Sequence, residues 1–202
     1  MRTRPETVLI LTMLAFAITG VTALFLDDVK LGAHDPVTVI EPGEDPVLVQ
    51  GIDEADAWFA AVRPYCNPVE VETRLRWNGP PETERGAMNE AACYALAGKI
   101  ELARAAIDGL PEERRYEAAG VVFAAGHPAA DAGDNLAAGP LMELVVEYWP
   151  NHYMALYHAG TAAWERGDHA AAERYLTSFL REYGADDGWR SNANSMLAAM
   201  RR

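Results

Sequence analysis

The most constraining feature of this chain is an apolar run near its N-terminus. Residues 7–26 contain no charged side chain, and about 20 apolar residues in a helix match the roughly 30 Å hydrocarbon core of a bilayer. Backbone N–H and C=O groups cannot stay unpaired in lipid, so we expect this run to form a transmembrane helix. Arg2 and Arg4 precede the run, and Asp27 and Asp28 follow it. Because basic flanks favour the cytoplasmic side, we expect the rest of the chain on the opposite side.

A cleaved signal peptide is the main alternative for the same run. Its apolar region is shorter, about 7–15 residues, and it ends at a small-residue site such as Val21-Thr22-Ala23. Cleavage there would leave Leu24-Phe25-Leu26 at a new terminus, which favours an uncleaved anchor. A buried core helix is disfavoured because the run has no polar face. We therefore expect a single-pass protein of a bacterial inner (cytoplasmic) membrane, with a cytoplasmic N-terminus and a periplasmic C-terminal domain.

The charge balance of the chain narrows the class of partner. The formal net charge is −13, and it becomes −14 when Arg2, Arg4 and Glu6 before the apolar run are set aside. Such a domain repels phosphate backbones and anionic headgroups, so nucleic acid and peripheral lipid binding are disfavoured. The lipid contact is expected through residues 7–26 alone. The acidic balance serves solubility, and it can also steer the domain toward a basic partner.

The chain contains two cysteines, Cys66 and Cys93, and neither has the paired spacing of a zinc site. No C-x-x-C-H haem attachment sequence is present, and we expect no cofactor. Two cysteines in an oxidising compartment often form one disulfide, and a Cys66–Cys93 bridge is the prediction. Two buried, unpaired thiols are the alternative.

Residues 27–52 differ in pattern from the rest of the chain. Pro36, Pro42 and Pro46 exclude a continuous helix. Short β-type runs at 37–40 and 47–49 flank a Pro-Gly turn, which is typical of a small hairpin or of an extended strap along a partner or along the chain's own helices. A free linker is disfavoured because it would not carry this many apolar residues.

Residues 53–83 have the pattern of two short helices. Asp53 is expected to cap the first helix, which should end near Pro64. Asn67 and Pro68 have the cap and first-turn pattern of the second helix. The side chains expected on the apolar faces are Ala57, Trp58, Ala61 and Val62 in the first helix, and Val71, Leu75 and Trp77 in the second.

The second half of the chain repeats itself with a period of 34 residues. The matching positions are Gly126 with Gly160, Gly133-Asp134 with Gly167-Asp168, and Ala138 with Ala172. A third copy lies upstream, where Gly98 and Ala103 precede Gly133 and Ala138 by 35 residues. Small residues allow two helices to approach closely, and glycine at a turn provides a left-handed helix stop.

These positions resemble the tetratricopeptide repeat (TPR) family, whose unit is a 34-residue helix–turn–helix. The resemblance covers about residues 84–186 and is clearest at Tyr153 to Asp186. It departs from the family where Val122 and Leu156 replace the large aromatic of the first helix. Pro128 also falls inside a first helix, which we expect to kink or end near Gly126. Residues 187–202 are expected to form the polar-faced capping helix that repeat arrays need.

No catalytic constellation is recognisable in the chain. Gly-rich phosphate loops, G-x-S-x-G and H-E-x-x-H are all missing from the sequence, so we predict no catalytic and no metal-binding residues. His152 and His158 are six residues apart and should not share a helical face, and His127 is placed in a Pro-Gly loop. We expect the histidines to be solvated or to cap helices.

Aromatic residues concentrate in the last repeat. Tyr153, Tyr157 and Trp164 follow helical spacing. Most of the aromatics are expected between helices, but a few can line the concave groove where such repeats commonly bind peptide segments or protein surfaces. These three residues are therefore the candidate partner-binding anchors.

The expected architecture is all-α. It comprises an anchor (1–26), a strap (27–52), two short helices (53–83), TPR-like repeats (84–186) and a cap (187–202). Such a protein would bind other proteins as an accessory or scaffolding subunit of a membrane complex, for example an energy-transducing (respiratory or photosynthetic) one. A transient assembly factor or chaperone for envelope or cytochrome complexes is one alternative. An enzyme with an unrecognised site in 27–83 is another.

Overall fold

The computed structural model describes residues 53–201. This part of the chain contains nine α-helices and two short 3₁₀ segments, and no strand lies within it. The predicted all-α class is therefore confirmed for residues 53–201. No helix in this range is both long and apolar enough to cross a membrane. The predicted anchor at 7–26 and strap at 27–52 lie outside the described residues.

The helices follow one another with short connections. Their bounds are α1 Glu54–Val62, α2 Val71–Trp77, α3 Glu84–Leu96, α4 Ile100–Asp108, α5 Arg115–Asp131, α6 Asn135–Tyr148, α7 Tyr153–Glu165, α8 His169–Glu182 and α9 Gly188–Met200. The 3₁₀ segments are Arg63–Tyr65 and Glu112–Arg114.

The two N-terminal helices bury part of each predicted apolar face: Trp58, Val62, Val71 and Leu75 are buried as predicted. Asp53 caps α1 by accepting a hydrogen bond from Ala55 N–H at 2.8 Å. The side chains buried in α1 are Ala55, Trp58 and Val62, whereas Ala57 and Ala61 are exposed. Trp77 is 84% exposed and so is not a core residue. It lies two positions after buried Leu75, which turns it away from the face that Val71 and Leu75 share.

Three successive helix pairs form the body of the structure. The pairs are α3 with α4, α5 with α6, and α7 with α8, and each helix packs against its neighbour in the chain. α3 also packs on α5, and α6 packs on α7, which joins consecutive pairs. Side chains from α3 to α7 form one continuous apolar core between the pairs.

Each pair turns at a glycine with positive φ. These residues are Gly98 (+69°), Gly133 (+86°) and Gly167 (+76°). The residue after each glycine donates its N–H to the carbonyl five positions earlier, from Lys99 to Tyr94, Asp134 to Ala129 and Asp168 to Ala163, at 2.9–3.0 Å. This is the Schellman motif, which needs a left-handed residue that glycine adopts without steric cost.

The residue that closes the turn also starts the next helix in two of the three pairs. Asp134 accepts a hydrogen bond from Ala137 N–H at 3.2 Å, and Asp168 accepts one from Ala171 N–H at 3.0 Å. These aspartates satisfy helix N–H groups that would otherwise lack a partner. Lys99 occupies this place in the first pair and makes no such bond. The Gly-Asp dipeptide therefore ends one helix, through the glycine, and begins the next, through the aspartate.

Small residues let the two helices of a pair approach closely. A Cβ added to Gly126 would lie 2.7 Å from Leu141 Cδ2, and one added to Gly160 would lie 2.8 Å from Leu176 Cδ2 and Cγ. A leucine of the second helix thus occupies the space above the glycine of the first. Ala138 and Ala172, on the second helices, are buried as well.

α5 does not end near Gly126, so that part of the prediction is wrong. The helix runs to Asp131 with Pro128 inside it. A proline disrupts a helix through its missing N–H and through contact with the carbonyl four residues earlier. Pro128 lies in the final turn of α5, and the Schellman bonds that follow it, such as Gly133 N–H to Ala130 O at 3.0 Å, still close the helix end. The last turn of α5 therefore tolerates Pro128.

The last helix covers the end of the third pair. Asp187 caps α9 through the N–H groups of Trp189 and Arg190. Ala193 and Leu197 bury against a cluster that includes Leu156, Tyr157 and Phe179. The remaining face of α9 is mostly polar and exposed, as the end of a helical array requires.

Cys66 and Cys93 form a disulfide across a sequence separation of 27 residues. Cys66 follows the first 3₁₀ segment, and Cys93 lies in the last turn of α3. Both are buried with Trp58, Val62 and Leu75. The bridge therefore ties the N-terminal helices to the first helix pair.

We expect Gly160→Leu to destabilise the domain by about 1–3 kcal/mol or more, because the new side chain must displace buried Leu176. Gly184→Leu is the matched control, since a Cβ at this exposed residue meets nothing within 4 Å. Urea unfolding of both variants measures the difference. Equal midpoints for the two variants would show that the α7–α8 contact is wrong.

Reduction of the Cys66–Cys93 bridge should lower the free energy of unfolding by about 3–4 kcal/mol, because the unfolded chain regains the entropy of the closed loop. Unfolding with and without reductant measures this difference, and Cys66→Ser should reproduce the reduced state. Mass spectrometry of a non-reducing digest should find the two peptides linked. Recovery of both cysteines as free thiols would contradict the pairing.

Candidate functional site

The three aromatic residues proposed as partner-binding anchors lie in different environments. Tyr153, at the start of α7, is 44% exposed, with its ring centroid 5.3 Å from that of Tyr183. Tyr157 is buried and packs edge-on against Phe179 and Trp189, which makes it a core residue. Trp164 is half-buried over a small alanine cluster at the other end of α7. Of the three, Tyr153 is the one most exposed to a partner.

Tyr153 belongs to an aromatic strip that the sequence pattern did not reveal. Neighbouring rings have centroids 4.6–6.2 Å apart along Tyr116, Trp149, His152, Tyr153 and Tyr183. Tyr116 is 55% exposed at the beginning of α5. Exposed tyrosines present large contact areas at low entropic cost, so this strip is a candidate contact surface beside the helix pairs.

A groove of about 680 Å³ runs along α1, α3 and α5. Its apolar lining comes mainly from α1 and α5, with Phe59 and Ala60 on the former and Gly120, Val121 and Ala124 on the latter. Small residues at 120 and 124, one turn apart on α5, leave the floor of the groove open. The volume is within the range of pockets that hold a ligand or a few side chains of a peptide.

A fixed polar network borders this groove. Asp56 accepts hydrogen bonds from Arg85 Nε at 2.7 Å and from Asn89 Nδ2 at 3.0 Å. Buried Asn89 also donates to the carbonyl of Ala55 at 2.9 Å. The hydrogen bond from Arg85 is the largest effect that lowers the pKa of Asp56. The Asp56 carboxylate is thus already satisfied, and the network holds α1 against α3.

A second cluster joins α5 and α7. His127 and Asp131 are one turn apart on α5, and His127 Nε2 lies 3.3 Å from Asp131 Oδ1. His158 of α7 points its Nε2 to the same oxygen, at 3.7 Å. The three potential ligand atoms all lie within 4.8 Å of one another. The sequence pattern predicted no metal ligands, yet two imidazoles and a carboxylate converge here from two helix pairs.

His158 is the least solvated member of this cluster. Its side chain is 2% exposed, and neither ring nitrogen has a hydrogen-bond partner among the described residues. Burial is the main cause that lowers the pKa of His158 to about 4; nearby His127 acts in the same direction, and Asp131 opposes the shift. His158 is therefore neutral at pH 7, so its contact with Asp131 is not an ion pair.

Aromatic rings surround the two imidazoles. Phe123 stacks on His127 with centroids 4.5 Å apart, and Trp189 lies edge-on to His158 at 5.8 Å. His152 adjoins the same Phe123, but its Nδ1 accepts a hydrogen bond from Ala155 N–H at 3.2 Å. His152 thus caps α7, one of the two roles expected for the histidines, and that nitrogen is occupied.

The placement of His127 in a loop is wrong, because α5 continues past it to Asp131. That error concealed the cluster. Once the helix is continuous, His127 and Asp131 have the i, i+4 spacing that places two side chains on one face. His158 lies next to His127 of the preceding helix pair, with ring centroids 5.2 Å apart, and not on a shared face with His152. The i, i+4 spacing of His127 and Asp131 is a sequence signal for two of the three residues of the cluster.

Comparisons of this chain with protein-family models, with curated proteins and with solved structures found no significant match.

Proposed function

We propose that this chain is a membrane-anchored scaffold whose TPR-like helical array binds another protein of a membrane complex on the exported side. The anchor is assigned to residues 7–26, and the binding surface to the groove along α1, α3 and α5. In this proposal the protein is an accessory subunit that stabilises a larger assembly and is not itself the catalytic subunit.

The repeated turn geometry is the observation that carries the proposal. Gly133 and Gly167 are 34 residues apart, adopt the same left-handed conformation and are each followed by a capping aspartate. Gly126 and Gly160 keep the same offset and receive leucines from the second helices. A fixed-period pair of helices with these contacts supports assignment to the TPR-like class. In that class the first helices of successive pairs line a concave binding groove, and α3 and α5 hold that position here.

The lining of the groove favours an extended segment with an apolar centre. Phe59, Val121 and Ala124 offer apolar contacts, and the Glu117 carboxylate at the border lies 3.0 Å from Arg114 Nη2. Arg63 is partly engaged, since its guanidinium donates to the carbonyl of Ala125 at 3.4 Å. The net charge of −14 without the N-terminal residues would also attract a basic partner.

The membrane helix and the groove would both contribute to binding the same membrane complex. A helix in the bilayer restricts the array to a thin layer beside the membrane, which raises its effective concentration near a membrane-bound partner. The groove need then contribute only modest affinity. A transient assembly factor would use the same parts, and the two roles differ in the stoichiometry of the purified complex.

Ala124→Arg should weaken partner retention by about tenfold or more, because a charged side chain would fill the apolar floor of the groove. Ala105→Arg is the matched control, since Ala105 is exposed on α4 and lies outside the groove. Quantitative mass spectrometry of complexes purified in mild detergent measures retention. Equal retention of partners by the two variants would exclude this groove as the docking surface.

Removal of residues 1–26 should leave a helical domain that associates much more weakly with its membrane partner, because the bilayer contact and its effective concentration are lost. Co-purification from cells that express either form measures the change, and circular dichroism verifies the fold. If the partner co-purifies with the full-length chain in equal amounts, the chain is a subunit of the complex. If only a small fraction of the chain carries the partner, it is an assembly factor. If the truncated chain retains the complex as well as the full chain does, the two-contact proposal fails.

A further inference from the structure

The cluster of His127, Asp131 and His158 has no role in the proposed binding groove. It lies between α5 and α7, and its side chains come from two consecutive helix pairs. Aromatic rings enclose its imidazoles, while Asp131 remains half-exposed. The cluster is thus closed on the protein side and open toward solvent at the carboxylate.

The burial of unpaired imidazole nitrogens is the observation that requires an explanation. Both nitrogens of His158 and Nε2 of His127 are buried without a hydrogen-bond partner among the described residues. A buried polar atom without a hydrogen-bond partner destabilises the fold, and the cost is comparable to that of losing one hydrogen bond. A histidine at 158 is therefore unfavourable for packing alone, whereas an apolar residue would fill the same space without this penalty.

We propose that His127, Asp131 and His158 bind a divalent first-row transition metal ion, such as Zn²⁺, that links the second and third helix pairs. His127 and His158 would each provide a ring nitrogen, and Asp131 a carboxylate oxygen. A further position would remain open toward solvent beside Asp131.

The distances in the cluster agree with such a site. Metal–ligand bonds of about 2.0–2.1 Å place the ligands of a tetrahedral ion about 3.4 Å from one another. Asp131 Oδ1 lies 3.3 Å from one imidazole nitrogen and 3.7 Å from the other. All three atoms lie within 4.8 Å of one another, and His127 and Asp131 are partly exposed, so their side chains can close the remaining distance.

The donor set selects the class of ion. Two imidazoles and one carboxylate suit Zn²⁺ and its first-row neighbours, whereas Ca²⁺ and Mg²⁺ require mostly oxygen ligands. His152 is not among these ligands: its Nδ1 accepts the N–H of Ala155, so the proton of the neutral ring is on Nε2 and neither nitrogen is free to bind a metal.

Metal titration of the full-length chain in detergent, after removal of bound metal with a chelator, tests the proposal. Co²⁺ should give the visible absorption of a low-coordinate site with one equivalent bound per chain, and Zn²⁺ should displace it. Free Zn²⁺ at about a hundredfold above its Kd should raise the Tm by about 5 °C or more, because the ion binds only the folded state.

Asp131→Asn and His127→Gln should each weaken Zn²⁺ binding by at least about tenfold, because even the loss of an outer-sphere partner has that effect. Both residues are partly exposed, so circular dichroism should show an unchanged fold. His169→Gln is the matched control, since it removes an exposed histidine outside the cluster and should leave Kd unchanged. Unsaturable binding by the full-length chain would overturn the proposal. So would an equal loss of affinity in the control, or full affinity in both ligand variants.

Discussion

The left-handed turn at three glycines is the constraint on which the rest of this structure depends. A helix that must reverse within two or three residues needs one residue with positive φ, and Gly98, Gly133 and Gly167 provide it. A residue with a Cβ would pay roughly 1–2 kcal/mol for the same conformation. Because the turn is short, the second helix must return along the first, and small residues at the crossing decide how closely the two can pack. The continuous core between the pairs follows from these local reversals.

Close packing of small residues has a consequence for where the larger side chains can lie. Leucines of the partner helices lie over Gly126 and Gly160, so little room is left for rings at these two crossings. Rings lie instead in the strip from Tyr116 to Tyr183 and around Tyr157 below α9. Phe123 and Trp189 lie beside the imidazoles of His127 and His158. These aromatic residues are thus placed away from the two glycine crossings.

Local chemistry is what the sequence can predict. Turn glycines, capping aspartates and the 34-residue period are visible because each depends on neighbours within a few positions, and the all-α class of residues 53–201 follows from them. Features that depend on tertiary packing are harder to derive. Pro128 remains inside α5 because the helix is about to end, and Trp77 is exposed because Leu75 and Val71 define the buried face. Tyr157 is buried by α9, which lies more than thirty residues away in the chain.

α5 is the element that both candidate sites share. Its earlier residues, Gly120, Val121 and Ala124, line the groove, and its last turns carry His127 and Asp131. α5 is held on one side by α3, through extensive packing, and is linked on the other to α7 through the cluster around His158. A bond between His158 and the end of α5 would therefore limit how far the second pair can move against the third.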